Sequence, residues 1–209
     1  MKMGRTASSE HRSSAHTLLE LQLAGDRTAP VTALDAFRAA RRRFLRSERI
    51  DMGALAAELG IGRATLYRWV GDRDRLLGEI LWSLAETALR RCRDEAKGEG
   101  ADWVIGIYTH FGRLIVETPP VLHFVRSEPE TALRVMTTKH SPHQARVVEF
   151  FRDTLEQAAA SRGLRPRLDA QTLAYVLVRV AESFLWTDLI TGEPPDQSKA
   201  EEVARVLIG

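Results

Sequence analysis

Apolar positions recur along this chain with a helical period, and the clearest example sits near its first quarter. Met52, Leu55, Ala56 and Leu59 fall at i, i+3, i+4 and i+7, one face of a short helix. Gly60 follows and can take the positive φ that ends a helix. Ile61 turns back toward a core, and Leu66 and Val70 give a second short helix a buried i, i+4 pair. The other face of that helix carries Arg63, Ala64, Thr65, Tyr67, Arg68 and Trp69. Helices this short do not stand alone in water, so the apolar side must pack and the polar side must face something. Helix, glycine turn, then a helix with a basic and aromatic outer face is the pattern of a helix-turn-helix, whose second helix enters the DNA major groove.

The same period organises the rest. Thr32 is placed to cap a first helix, with Phe37, Ala40, Phe44 and Leu45 as its stripe and five arginines between Arg38 and Arg46 around it. Asp72 is placed to cap a long amphipathic helix with Leu77, Ile80, Leu81, Leu84 and Ala88 on one side, running to about Lys97. Gly98 and Gly100 interrupt the pattern. A helix then follows from Asp102 on Trp103, Ile107, Phe111, Leu114 and Ile115, stopped by Pro119-Pro120. Short helical pieces are predicted over 121–125 and 130–138. A long helix starts at Ser141-Pro142 with Val148, Phe151, Leu155 and Ala158 aligned, another runs from Asp169 to about Leu189, and a last short one spans 199–208. No stretch reads as a strand and no segment repeats. The predicted class is all-α: an N-terminal three-helix helix-turn-helix DNA-binding domain, then a C-terminal helical ligand-binding and dimerisation domain. The boundaries read as a flexible tail over 1–29, the DNA-binding unit over 30–76 and the regulatory unit over 77–209.

The helix from Asp169 is apolar nearly all round: Leu173, Leu177, Val180 and Phe184 form one face, and Tyr175, Val176, Ala181 and Leu185 cover others. Such a helix is buried on more than one side. The second side is either a second copy of the chain, in a two-fold four-helix interface, or the centre of a monomer core. Leu173, Val176, Leu177, Val180 and Phe184 are the candidate dimer contacts.

Charge sharpens the division. The net charge is only +2, but residues 32–76 hold ten arginines against six carboxylates, while residues 77–209 carry a small acidic excess. A basic block on a slightly acidic remainder suits one module that meets phosphate and another that does not. Lys2, Arg5 and Arg12 could add a basic arm, although a solvated tail is the plainer expectation. The single cysteine, Cys92, excludes an internal disulfide, fits a cytoplasmic location, and is expected to be a small packing residue on its helix. No leader segment is expected. The most apolar run, 168–190, holds Arg179 and Glu182 and does not read as membrane-spanning.

At the helix-turn-helix a family becomes visible. Leu59-Gly60-Ile61-Gly62-Arg63-Ala64-Thr65-Leu66-Tyr67-Arg68-Trp69, then Arg73 and Leu76-Leu77, resembles the signature of TetR-type transcriptional regulators, which runs Gly-Val-x-x-x-Thr-Leu-Tyr-x-His-Phe and then Lys-x-x-Leu. The chain departs from it at Trp69 in place of His, Val70 in place of Phe and Arg73 in place of Lys. The resemblance implies that Gly62, Arg63, Ala64 and Arg68 face DNA bases and that Thr65, Tyr67, Trp69 and Arg73 hold phosphates. The chemistry agrees: Arg near a helix N-terminus can grip guanine O6 and N7, and Thr and Tyr hydroxyls can donate to phosphate oxygens. Further along, 127–134 (Ser-Glu-Pro-Glu-Thr-Ala-Leu-Arg) with Thr137-Thr138 is similar to the regulatory domain of QsdR-type regulators, a branch linked to genes for breaking down quorum-sensing lactones.

Two chemical expectations remain. Trp103, Tyr108, Phe111, Phe124, Phe151 and Trp186, with His110, His123 and Glu182 as polar handles, have the composition of an apolar effector pocket, although each aromatic alone reads equally as core. His140 and His143 could share a metal, but with Pro142 between them they read as two solvated turn histidines, so no metal is expected. No nucleophile–base order, glycine-rich phosphate loop or carboxylate pair supports an enzyme, and no cofactor is expected. The expected function is a dimeric, sequence-specific DNA-binding regulator. It would most simply be a repressor released from its double-stranded operator by a small, largely apolar effector, as TetR-type regulators are, with no membrane partner. The alternative is a helical ligand-binding protein or enzyme whose helix-turn-helix is only structural.

Overall fold

A computed structural model describes residues 31–209, and every regular element among them is a helix. The chain order is α1 Ala33–Leu45, α2 Met52–Glu58, α3 Arg63–Val70, α4 Arg73–Glu95, α5 Gly100–Glu117, α6 Pro119–Ser127, α7 Pro129–Thr137, α8 His143–Ser161, α9 Ala170–Leu185, α10 Thr187–Ile190 and α11 Gln197–Ile208. The expectations for the tail, including its basic arm, lie outside the described residues. No described helix is long and apolar enough to cross a membrane.

Local chemistry sets the helix ends. Asp51, Asp72, Asp169 and Asp196 each turn a carboxylate back onto N–H groups of the helix that follows; Asp51 accepts from Ala54 at 2.7 Å and Asp72 from Arg75 at 2.8 Å. Pro119-Pro120 ends α5 as the pattern predicts and also opens α6, because the first turn of a helix needs no proline N–H. Pro129 opens α7 in the same way. The helix from Asp169 is shorter than its apolar pattern, since the chain turns at Trp186 before α10.

Two apolar cores form. The first gathers α1, α2, α3, the first turns of α4, α6, α7 and Leu185-Trp186; the second gathers the later turns of α4 with α5, α8, α9 and α11. The helix α4 belongs to both: Leu76, Leu77, Ile80 and Leu81 sit in the first core, and Ala85, Leu89 and Cys92 in the second. In α1 the buried face is Ala36, Ala39, Ala40 and Phe44; of the expected stripe, Phe37 is half-buried and Leu45 exposed. Small alanines let α1 approach α3 and α4 closely.

Candidate functional site

The helix-turn-helix is built from a capped α2, a tight turn and α3. Gly60 adopts φ +64, and the Ile61 N–H reaches the Ala56 carbonyl at 3.0 Å, closing the end of α2. Nothing would touch a Cβ on Gly60, so glycine serves the backbone angle alone. Leu66 is the fully buried residue of α3 and fixes which face turns outward. Burying one leucine is worth about 1.5–3 kcal/mol, enough to orient a two-turn helix that could not hold itself.

That orientation leaves Gly62, Arg63, Ala64, Tyr67 and Arg68 exposed, while Thr65 is half-buried beside them. Trp69, placed on the outer face by the pattern, is half-buried and packs on the first core with Val70. Arg63, Tyr67 and Arg73 meet Arg49, Asp51 and Gly53 around one open hollow of about 450 Å³. Arg63 lies so close to Gly53 that a Cβ there would come within 2.5 Å of its guanidinium. Arg49 had no signal in the motif; it joins the hollow because the turn before α2 folds beside α3.

Arg73 has two further engagements. Its Nε donates to the Ile50 carbonyl at 2.7 Å, and its two terminal nitrogens donate to Glu128 at 2.8 and 2.6 Å. Arg49 stands 3.8 Å from the same carboxylate. The Arg73 hydrogen bonds and charge hold the Glu128 carboxyl below the usual range, against the opposing effect of its partial burial. Two more ion pairs join α4 to α7 and α8: Asp74 to Arg134 of α7 at 2.6 Å, and Glu79 to Arg146 of α8 at 2.7 Å.

A largely apolar cavity lies between α5, α7, α8 and α9, with a volume of about 50 Å³. Tyr108, Phe111, Phe151, Glu182 and Trp186 line it, as do Met136, His143, Gln144 and Val178. Tyr108 and Phe151 pack edge to face at 5.9 Å, and the Tyr108 hydroxyl donates to the Leu177 carbonyl at 3.1 Å. The other expected lining residues stand elsewhere. Trp103 is buried in the second core with the Arg162 guanidinium 4.1 Å above its ring. His110 is half-buried on α5 outside this lining. His123 and Phe124 face a separate hollow of about 270 Å³ shared with Arg73 and Glu128.

His143 corrects the sequence reading. It is not a solvated turn residue: it opens α8, is buried, and its Nδ1 has no partner. Burial, reinforced by the nearby Arg146 charge, pushes its pKa down to about 4, so the ring is neutral near pH 7. Across the cavity Glu182 accepts from Gln144 at 3.2 Å and pairs with Arg179 at 2.6 Å. Burial outweighs both contacts and raises its pKa to about 7. His140, by contrast, is exposed and sits 2.9 Å from the Thr138 hydroxyl. Cys92 is buried, and burial pushes its thiol up to about 11, the behaviour of a packing residue.

On α9, Leu173 and Leu177 point into the second core, while Val176, Val180 and Phe184 are half-buried beside exposed Thr172, Tyr175, Arg179 and Ser183. The five candidate dimer residues lie on one stripe of α9 that burial divides, with Leu173 and Leu177 closed into the core and Val176, Val180 and Phe184 at its margin.

The sequence model of the tetracyclin repressor-like C-terminal domain matches residues 99–209. No curated protein sequence matches the chain. Among solved structures, the transcriptional repressor QsdR of R. erythropolis, from the TetR family, superposes with a TM-score of 0.80 at 28% identity, covering 85% of this chain and 94% of that one. The TetR-family repressor AlkX of Dietzia sp. strain DQ12-45-1b shares the fold with a TM-score of 0.56 at 24% identity, with the same coverage. The domain match spans more than half of the chain, behind a helix-turn-helix of the matching type, and the chain belongs to the TetR family of transcriptional regulators rather than to an enzyme family.

Proposed function

We propose that this chain is a dimeric repressor acting in the cytoplasm, which reads operator DNA with α3 and leaves it when a small, largely apolar molecule occupies the cavity beside Glu182. The observation that carries the reading is the outward face of α3, held in place by Leu66 and presenting Arg63, Tyr67 and Arg68 to solvent. Gly62, Arg63, Ala64 and Arg68 take the base-facing role. Thr65, Tyr67, Trp69 and Arg73 hold phosphates, Trp69 at the margin of the core. The 30–76 unit binds DNA, and the 77–209 unit binds the effector and a second subunit, the latter through the stripe of α9 that carries Leu173, Val176, Leu177, Val180 and Phe184, of which Val176, Val180 and Phe184 are the accessible part.

Release requires the effector to prefer the DNA-free arrangement. A tenfold preference is worth about 1.4 kcal/mol, so a modest difference per subunit loosens a dimer. The helix α4 is the element positioned to carry that difference, since one half packs under α3 and the other half packs against the helices around the cavity.

The test is fluorescence anisotropy with DNA from upstream of the protein's own gene against a random duplex, across a salt series. Tight, sequence-preferring binding that weakens steeply with salt is the expected result. Equal weak binding to that DNA and to every member of a randomised pool would favour the reading in which the helix-turn-helix is only structural.

A further inference from the structure

A second cavity, of about 60 Å³, adjoins the first. It is lined by Leu81, Leu84, Ala85 and Ala88 of α4 with Leu114, Thr118 and Val121. Four residues line both cavities: Phe111, Ile115, Met136 and His143. They form the partition between the two. Neither cavity alone matches the roughly 150 Å³ that admits a benzene ring, and both fall far short of the roughly 300 Å³ at which drug-sized pockets begin. Together they hold about 110 Å³, still below that size, so a ligand that occupies both must displace side chains of the partition. Met136 is the unbranched, flexible member of the partition and the side chain best able to move aside.

Polarity is distributed unevenly between the two. His143 lines both; beside it the first chamber holds Glu182, Gln144, the Trp186 indole and a Tyr108 hydroxyl spent on the Leu177 carbonyl, and the second adds only Thr118, whose hydroxyl is already spent on the Leu114 carbonyl at 2.5 Å. No lysine or arginine lines either chamber. The Glu182 carboxylate is paired with Arg179, and Arg146 lies close enough to His143 to repel a charge on its ring. An anionic head would be buried beside Glu182 without a cation. A cationic head would meet a carboxylate already paired with Arg179. An uncharged group that both donates and accepts, such as a hydroxyl, suits His143 Nδ1 in either tautomer and can also donate to Glu182.

We propose that the two cavities are the chambers of one effector site, and that the effector is a slender, uncharged amphiphile whose hydrogen-bonding head sits among His143, Gln144 and Glu182 and whose straight apolar tail crosses the partition to lie against Leu84 and Ala88 of α4. This rests on the effector reading above and specifies its chemistry. It also gives the tail a mechanical role: only a chain long enough to enter the second chamber touches the helix that reaches α3.

The test uses full-length protein with straight-chain probes, 1-hexanol and 1-decanol, and with decanoate and decylammonium, read by calorimetry. In the native protein 1-decanol binds at least tenfold more tightly than 1-hexanol and than either charged probe. Because a longer alcohol favours any apolar surface, Ala88→Leu supplies the control. By filling the second chamber it removes the 1-decanol advantage and leaves 1-hexanol binding unchanged. Leu84→Phe fills the same chamber from one turn earlier if the first variant does not melt cooperatively. Equal binding of the two alcohols, 1-decanol binding insensitive to a filled chamber, decanoate or decylammonium binding as tightly as 1-decanol, or no binding of any probe overturns the proposal. Operator anisotropy without probe separates the layers. Failure of the alcohols with operator binding intact removes the ligand class alone, and failure of operator binding removes the repressor reading.

Discussion

Arg73 and Glu128 face each other through two parallel hydrogen bonds, 2.8 and 2.6 Å long, across 55 positions of sequence. The arginine opens the helix after α3, and the glutamate lies between α6 and α7. The cation proposed to hold an operator phosphate is therefore already held by the junction of α6 and α7. Glu128→Gln should leave Arg73 uncompensated and strengthen binding to all duplexes alike. The check is the slope of log K against log salt, which should steepen by about one phosphate contact relative to the native protein. An unchanged slope would mean that Arg73 does not meet DNA.

Arg63→Ala should weaken operator binding by about 1–3 kcal/mol and relax the preference at one base position, whereas Tyr67→Phe should weaken every sequence to a similar degree. Anisotropy against a panel of operators changed at single positions separates the two patterns. If Arg63→Ala kept the full preference of the native protein, Arg63 would not be a base contact.

Leu66→Ala removes the buried anchor of α3. A fully buried leucine cut to alanine costs about 2–5 kcal/mol. Chemical denaturation should show a loss in that range, with α3 the first helix to lose amide protection. A loss below 1 kcal/mol would mean that the site collapses around the gap or that α3 is held mainly by Trp69 and Val70.

Acid should act through His143. Its folded pKa is about 4, below the ordinary 6.5, so the unfolded chain binds the extra proton between those values. The stability it contributes is complete above pH 6.5 and is lost as pH falls toward 4, by up to about 3 kcal/mol. Glu182 works in the opposite sense. Raised to about 7, it favours the folded state most below pH 4.5, and that contribution fades as pH rises through 7. Denaturation midpoints at pH 7, 5.5 and 4.5 for the native protein and His143→Phe isolate the first effect. The variant should lose less stability on acidification, and parallel curves would contradict the assignment.

The helix-turn-helix could be read from the sequence because everything that makes it is local. Leu55, Ala56 and Leu66 show the period, Gly60 the turn, and Asp72 the next start, all within 22 positions. The cavity between α5, α7, α8 and α9 was legible only in part, for the opposite reason. Tyr108, Phe111, Phe151, Glu182 and Trp186 converge there, but the same composition describes Trp103 and Phe124, which the fold sends to other places. His143 was misread because its burial depends on α8 starting one residue after Pro142, with Ser141 anchored to the Val135 carbonyl at 2.5 Å and α9 closing over it. The Arg73–Glu128 pair leaves no trace in any local pattern, since its partners meet only when α6 and α7 dock on α1 and α4.

The division of α4 between two cores also bears on how the molecule comes apart. Melting the first core strips Leu76 to Leu81 of their neighbours, and melting the second strips Ala85 to Cys92. Neither can go without leaving half of one continuous helix unsupported in water, where an isolated helical segment of that length is marginal. Residues 33–209 are therefore one cooperative unit in the thermodynamic sense. A molecule that tightens the packing around the cavity should raise the melting point of α1 to α3 as well, and a fragment cut at residue 76 would lose the partners of its own core.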